Sequence, residues 1–247
     1  MITHYATDTG KVRSHNEDSV TIVKNKSNEY FLIVADGMGG HKAGEVASSL
    51  VVTALGSRWS NIGSIGTKVD AVKWLSDITH EVNLNILKYA EEHIDSQGLG
   101  TTCVCAIYTK DYLIFGNIGD SSGFVKKGEH LYKVTKDHTL VNVLIASGEI
   151  RPEEAENHPQ KNVLMKALGA CEHVEADIFD VEHEIDGIFL CSDGLTNMLT
   201  QEQIEKVLND PLLNVQEQIE KLIKKANLRG GTDNISIAYA VNNRSDL

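Results

Sequence analysis

Residues 31–35, Phe-Leu-Ile-Val-Ala, form an uninterrupted apolar run that includes β-branched side chains. A strand with one face in water would alternate apolar and polar residues, so a strand of this composition has to be covered on both faces. The run ends at Asp36, the first residue of Asp36-Gly-Met-Gly-Gly-His41. We therefore predict a central, buried strand that ends in a carboxylate beside a glycine-rich turn.

The elements around this strand follow in an order that restricts the fold. Apolar residues recur every three or four positions from 42 to 55 and from 69 to 91, which predicts two amphipathic helices. Two further helices are predicted after residue 200, and a polar stretch from 146 to 162 is predicted to run over the surface. Strand patterns are centred on residues 20–23, 102–108, 112–115, 174–181, 188–191 and 235–241. Because strands and helix pairs do not alternate one by one, we predict an α+β fold: a central antiparallel β-sandwich of two sheets flanked by helix pairs, in four αββα layers.

Length and charge limit the classes of function. The 247 residues fit a single domain over 1–247. Lys and Arg total 23 and Asp and Glu total 35, so the net charge is −12, which disfavours binding to nucleic acid or anionic lipid. We expect no membrane insertion, since no apolar run approaches about 20 residues. The first residues lack the basic and apolar segments of a signal peptide, and the four cysteines form no CxxC pair, so we expect reduced thiols and a cytoplasmic location.

Four aspartates stand where an apolar strand meets glycine, namely Asp36, Asp120, Asp193 and Asp233. Each one alone has an ordinary explanation as a turn residue. Four in the same context, in a chain that is already acidic, indicate a cluster whose mutual repulsion requires cations. Oxygen ligands without a Cys/His set favour Mg²⁺ or Mn²⁺ over Zn²⁺. The glycine at Gly37 would also let a backbone carbonyl approach an ion closely.

A second polar group, Arg13-Ser-His-Asn-Glu17-Asp18, precedes the strand at 20–23. On its own it is most simply a solvated loop. Beside a metal cluster, the guanidinium of Arg13 could bind two phosphate oxygens, and Glu17 and Asp18 could hold metal-bound waters in the outer shell.

The chain resembles the metal-dependent serine/threonine protein phosphatases of type 2C (PPM), in their compact bacterial form, over essentially its whole length. Seven short motifs occur in the family's order: Arg13-x-x-Asn16-Glu17-Asp18, Asp36-Gly-Met-Gly-Gly-His41, Gly100-Thr-Thr102, Gly119-Asp-Ser121, Asp137-His138, Ser192-Asp-Gly194 and Gly230-Gly-Thr-Asp-Asn234.

The resemblance implies a two-metal centre at one edge of the sandwich. In it, Asp36 bridges two tightly bound ions, the Gly37 carbonyl binds one of them, and Asp193 and Asp233 bind the other. A third, weaker ion would be held by Asp120 together with Asp193, and residues 147–168 correspond to a mobile flap. One departure is Ser122, which stands where many relatives have arginine.

The implied substrates are phosphorylated proteins, including a Ser/Thr protein kinase. A water that bridges two divalent ions is acidic enough to be hydroxide near neutral pH and can attack phosphorus in line. His41, five residues after Asp36, is the candidate acid for the leaving alkoxide. Two alternatives stay open: a pseudophosphatase that binds phosphoproteins without turnover, and a two-metal hydrolase of nucleic acid or other phosphate esters.

Overall fold

The computed structural model describes residues 1–39, 43–93, 98–155 and 158–242. Its strands are β1 (Ile2–Asp8), β2 (Asp18–Lys24), β3 (Tyr30–Met38), β4 (Gly100–Thr101), β5 (Cys103–Tyr108), β6 (Leu113–Ile118), β7 (Ser122–Lys127), β8 (His130–Lys133), β9 (Asp177–Val181), β10 (Gly187–Cys191) and β11 (Ile235–Val241). Its helices are α1 (Ala43–Asn61), α2 (Lys68–Glu92), α3 (Leu140–Ser147), α4 (Pro152–Ala155), α5 (Asp193–Thr196), α6 (Gln201–Leu208) and α7 (Val215–Leu228).

The strands form two sheets whose neighbours all pair antiparallel. One sheet has the order β1-β11-β10-β7-β8, and the other has the order β2-β3-β5-β6-β9, with the short β4 beside the end of β3. The first and last long strands of the chain, β1 and β11, are direct partners from Ile2↔Val241 to Asp8↔Ile235. The N-terminal strand therefore depends on the last strand for its place in the sheet.

Three apolar clusters separate four layers. Leu32 and Val34 of β3 face Ile188 and Leu190 of β10 in the cluster between the sheets. Phe31, Ile33 and Ala35 point the other way, into a cluster with α1 and α2. A third cluster lies between the β1-containing sheet and helices α6 and α7. The predicted α+β sandwich with outer helices is confirmed, and both faces of the run at 31–35 are covered.

Several element boundaries differ from the predictions. The strand predicted to begin at 174 begins at Asp177, because Val174 instead packs its side chain into the α1/α2 cluster. The prediction missed β1 and the β7–β8 hairpin. Strand β1 carries the partly exposed side chains of an edge strand, and the hairpin turns at Gly128, whose φ of 59° suits glycine. Helix α1 also runs further than predicted, to Asn61.

Cys103 and Cys105, two apart on β5, both lie buried in the α1/α2 cluster, as their spacing predicts. In the part of the chain that the structure describes, no helix is long and apolar enough to cross a membrane.

Candidate metal centre

The predicted carboxylates meet at one end of the sandwich because of the strand directions. Asp18 begins β2 directly opposite Asp36 near the end of β3. Asp120 follows β6, which is antiparallel to β5 and therefore parallel to β3, so both strands end on the same side. On the other sheet, Asp193 follows the end of β10, and Asp233 precedes its antiparallel partner β11. Five chain segments thus bring one aspartate each to the same edge.

The backbone around Asp36 is fixed by two threonines. The Asp36 amide donates to Oγ1 of Thr102 at 2.9 Å, and the Asp36 carbonyl accepts from the Thr102 amide at 2.9 Å and from Oγ1 of Thr101 at 2.9 Å. Gly37 follows in a tight space, since a Cβ there would lie 2.1 Å from the carbonyl oxygen of Gly44. Glycine is therefore required at position 37, and α1 begins directly against this backbone.

Asp193 and Asp233 are brought together by close backbone packing. A Cβ on Gly194 would lie only 1.9 Å from the carbonyl oxygen of Asn234, so α5 contacts the loop before β11 without any intervening side chain. Asp193 Oδ2 accepts from Nδ2 of Asn197 at 3.0 Å. The charge of Asp193 also acts on Asp36 of the other sheet and contributes to the raised pKa of Asp36, so the two carboxyl groups face each other across this edge.

Asp18 is the most enclosed carboxylate of the group. Its side chain is buried, and its Oδ2 accepts from Oγ of Ser192 at 2.7 Å. Ser192 in turn accepts from the Ser236 amide at 2.9 Å, so this hydroxyl links β2 to β11.

Arg13 lies beside the aspartates but already has a partner. Its Nη2 donates to Oδ2 of Asp233 at 2.8 Å. The loop that carries Arg13 is held by Asn234, whose Nδ2 donates to the carbonyls of Thr9 and His15 at 2.9 Å each and whose Oδ1 accepts from the Glu17 amide at 2.8 Å. One asparagine thus positions both ends of this loop.

Asp120 is positioned by a separate group of contacts. Gly119 before it has a φ of 102°, and the Gly119 amide donates to Nδ1 of His138 at 3.0 Å. His138 therefore orients the Asp120 turn. It does not cap α3, since the residue directly before that helix is Thr139. After Asp120, the Ser121 hydroxyl is 2.8 Å from that of Thr102. Ser122 is buried opposite Cys191, and Lys133 supplies a nearby positive charge.

The acidic groups raise one another's pKa values. Burial, followed by the charge of Asp193, raises the pKa of Asp120 to about 7. Burial also raises the pKa of Asp18 to about 7, although the bond from Ser192 opposes this. The pKa of Asp36 lies well above its ordinary value through burial and the charges of Asp18 and Asp193, and the pKa of Asp193 is raised by burial and by Asp233. Such a group gains stability when cations neutralise it.

Arg13 and Glu17 respond to the same environment. Burial alone would lower the pKa of Arg13, but the hydrogen bond and charge of Asp233 outweigh it and raise that pKa. Burial raises the pKa of Glu17, and the charge of Arg13 opposes the rise.

The donor set fits divalent cations that prefer oxygen. Asp18 Oδ1 and Asp193 Oδ1 are buried and have no hydrogen-bond partner among the described residues. Unpartnered carboxylate oxygens in a group of mutually repelling acids are suited to Mg²⁺ or Mn²⁺. Within the four described ranges, however, no three Asp, Glu, His or Cys side chains surround one point as a preformed site would. In this state Arg13 holds one oxygen of Asp233.

The structure therefore brings together Arg13, Glu17, Asp18, Asp36, Gly37, Asp120, Asp193 and Asp233. His41, the candidate acid, lies outside the described residues. Sequence reasoning assigned no role to Ser192, Asn234 and Thr102, although all three lie within its motifs. Ser192 and Asn234 stand next to Asp193 and Asp233 in the sequence, and Thr102 lies in a motif without an aspartate. Their hydrogen-bond partners, 44, 219 and 66 positions away along the chain, are visible only in the fold.

Comparison with known proteins agrees with this architecture. The sequence profile of the family described as Protein phosphatase 2C matches residues 9–229. The serine/threonine phosphatase stp of Listeria welshimeri is 42% identical over 244 residues, which cover 98% of this chain and 96% of that protein. The solved structure of the S. agalactiae serine/threonine phosphatase has a TM-score of 0.91 at 35% identity, with 98% of this chain and 100% of that chain covered.

A third relative is informative about metals. The catalytic domain of the serine/threonine protein phosphatase PstP, solved in complex with two manganese ions, has a TM-score of 0.82 at 34% identity, and the match covers 97% of each chain. Profile, sequence and structure agree over nearly the full length, and the chain belongs to the protein phosphatase 2C family, a family of protein-serine/threonine phosphatases.

Proposed function

We propose that this phosphatase hydrolyses phosphoserine and phosphothreonine in proteins with the help of two tightly bound divalent ions, Mn²⁺ or Mg²⁺. The observation that carries the proposal is the meeting of aspartates from five chain segments at one edge, with buried carboxylate oxygens that lack partners among the described residues. The names of the Listeria relative and of the manganese-bound PstP structure support it.

The assignment of ligands follows the family motifs, and the meeting of the aspartates at one edge supports it. Asp36 would contact both ions, with the carbonyl of Gly37 as a further ligand. Asp193 and Asp233 would be ligands of the other ion. Glu17 and Asp18 would hold water around the ions, since Asp18 keeps one unpartnered oxygen.

When bound, the two ions would supply charge neutralisation and a water molecule of lowered pKa as the nucleophile. The protein itself has to attract a phosphate dianion despite a net charge of −12. Arg13 would do this, since its planar guanidinium offers two donors to phosphate while its side chain is half exposed. In the structure one of those donors is already used by Asp233.

His41 would donate the proton that the leaving alkoxide needs. A replacement by alanine should then reduce kcat more for phosphoserine peptides than for p-nitrophenyl phosphate, whose leaving group needs no proton. Equal losses with both substrates would remove His41 from this role.

Asp120, together with Asp193, would bind a third and weaker ion, and residues 147–168 of the single domain would act as the flap. Asp120→Ala should then retain two bound ions in a Mn²⁺ titration and lose most turnover of protein substrates. Three bound ions in that variant would mean that Asp120 is only a turn residue.

We also propose that the enzyme works in the cytoplasm and that a Ser/Thr protein kinase is among its substrates. The buried free thiols of Cys103, Cys105 and Cys191 are those expected in a reducing compartment. Phosphoproteomes of cells with and without the gene would show whether kinase phosphosites accumulate when it is missing.

The deciding experiment measures phosphate release from phosphothreonine peptides with Mn²⁺, with EDTA and in Asp193→Asn. We expect turnover that requires Mn²⁺ and is lost in the variant. Asp111→Asn, an exposed residue of the β5–β6 turn, is the matched control and should behave as wild type. Peptide binding without turnover would instead indicate a pseudophosphatase, and turnover restricted to small esters or nucleotides would indicate another hydrolase.

A further inference from the structure

A pocket of about 840 Å³ lies beside the Asp120 turn, between β8, α3 and the segment around Met165. We propose that this pocket, called here the β8–α3 pocket, binds an acidic side chain and a neighbouring apolar side chain of the phosphoprotein substrate. The inference rests on the proposed function and adds a specificity-determining surface to it. The volume is within the range of sites that enclose ligand groups.

The β8–α3 pocket is linked to the candidate metal centre through His138. His138 lines it and accepts a hydrogen bond from the amide of Gly119, the residue before Asp120. The His138 carbonyl accepts from the Met165 amide at 2.8 Å, which closes the opposite wall. Residues flanking a phosphoserine bound near Asp120 would therefore pass this pocket.

The pocket carries more positive than negative side chains, in a chain of net charge −12. Its lysines are Lys133, Lys136 and Lys166, and its carboxylates are Asp137 and Asp177. Nζ of Lys133 donates to both carboxylate oxygens of Asp137, at 2.7 Å and 2.8 Å, and Nζ of Lys166 donates to Oδ1 of Asp177 at 2.7 Å.

The third lysine, Lys136, is available to pair with an acidic group of a ligand. Lys136 is exposed, and no carboxylate of the described residues lies within salt-bridge distance of its ammonium group. An acidic side chain of a substrate would complete the pairing pattern of the pocket.

The wall next to these lysines is apolar and uncovered. Helix α3 has the sequence LVNVLIAS, yet Val141 is its only buried residue. Val143 is 48% exposed, and Met165 across the pocket is 54% exposed. Exposed apolar side chains beside a lysine match a peptide that carries apolar and acidic residues together, whereas they offer a nucleic-acid backbone no favourable partner.

The test compares phosphothreonine peptides that carry Glu or Lys at single positions within three residues of the phosphothreonine. Wild-type protein with Mn²⁺ should favour the best Glu peptide over its Lys counterpart by about fivefold in kcat/KM, mainly through KM, as expected for an exposed ion pair. Lys136→Ala should remove the preference and Lys136→Glu should invert it. Val143→Ser should lower kcat/KM for both peptides by the same factor, since it removes the apolar contact.

The kcat/KM of each variant for each peptide is divided by the turnover of p-nitrophenyl phosphate by the same variant, so that changes at the metal centre cancel. Lys206→Glu, on the exposed side of α6, is the control for a general change in charge and should keep the wild-type preference. If the ratio of kcat/KM for the Glu peptide to kcat/KM for the Lys peptide is the same in wild type and in Lys136→Glu, the proposal is overturned. A loss of dimers in Lys136→Glu by sedimentation would also overturn it, because a second copy of the chain would then be the occupant.

A failure of the proposed function would look different. If no peptide is hydrolysed in Mn²⁺, binding of the same peptides is measured by fluorescence anisotropy. A Glu preference that Lys136→Glu inverts would still support the pocket, and identical affinities for all peptides would reject it.

Discussion

Nη2 of Arg13 lies 2.8 Å from Oδ2 of Asp233, so the proposed phosphate-binding residue is paired with a proposed metal ligand. The pair joins the loop after β1 to the loop before β11. Under the proposed function, phosphate would bind Arg13 and a cation would bind Asp233, so the two ligands would compete with this ion pair. Binding of an ion at Asp233 would release the guanidinium toward the substrate, which links metal loading to phosphate affinity.

Replacement of Arg13 should raise KM more than it lowers kcat. A charge-assisted hydrogen bond contributes about 1.5–3 kcal/mol, so Arg13→Ala should raise KM for phosphopeptides by about 10- to 100-fold. Arg13→Lys should recover only part of this loss, because a point charge does not reproduce the planar fork. Arg58→Ala, which removes an exposed ion pair with Glu81, is the control in the same steady-state assay. A wild-type KM in Arg13→Ala would exclude Arg13 from phosphate binding.

Asp36→Asn should have opposite effects on activity and on metal-free stability. Turnover should fall below about a tenth of that of wild type because a shared ligand is lost. This corresponds to an increase of more than about 1.4 kcal/mol in the activation free energy. Without metal the variant should melt at a higher temperature than wild type at pH 8, since one of the repelling buried charges is gone. Thermal melts in EDTA and in Mn²⁺ measure both effects. A variant that Mn²⁺ stabilises as much as wild type would show that Asp36 is not a ligand.

The metal-free protein should lose stability as the pH rises from about 4 to 7. The pKa values of Asp18 and Asp120 are raised to about 7 in the folded state, so in this window these two carboxyl groups hold their protons in the folded chain and have lost them in the unfolded chain. Stability from such groups is present at low pH and is lost as the pH passes the folded pKa. Urea unfolding in EDTA at pH 5 and pH 8 checks the direction. Asp120→Asn should reduce the difference, and an unchanged difference in that variant would contradict the assignment.

Gly194→Ala should damage the centre without touching a charge. The new methyl group would lie 1.9 Å from the Asn234 carbonyl oxygen, so α5 and the loop before β11 must separate. We expect a loss of at least about 2 kcal/mol in unfolding free energy and weaker Mn²⁺ binding by calorimetry. Gly63→Ala is the matched control, since nothing lies within 4 Å of its Cβ position. Equal Mn²⁺ affinity in both variants would mean that this contact does not position Asp193.

The layers of the fold could be predicted because they follow from local composition. An apolar run such as 31–35 indicates a strand covered on both faces, and the two period-3.6 stripes that follow it indicate helices that cover one of those faces. The four aspartates were recognisable for a related reason, since each lies within two residues of the beginning or the end of a strand. Strands β1 and β8 were not predicted because they are partly exposed and carry little periodic signal, and β7 was not predicted because its sequence, SGFVKK, contains only two large apolar residues although it is buried.

How the carboxylates are held was decided by contacts between distant parts of the chain. Whether Asp18 is a surface acid or a buried one depends on Ser192, 174 residues away, and the place of the Arg13 loop depends on Asn234, 219 residues from His15. Such partners are chosen by sheet register and by close packing at Gly194 and Gly37, which no local pattern records. The residue types alone could therefore indicate cation chemistry. The pairing of Arg13 with Asp233 and the raised pKa values exist only because the folded chain excludes water from acids that it has brought together.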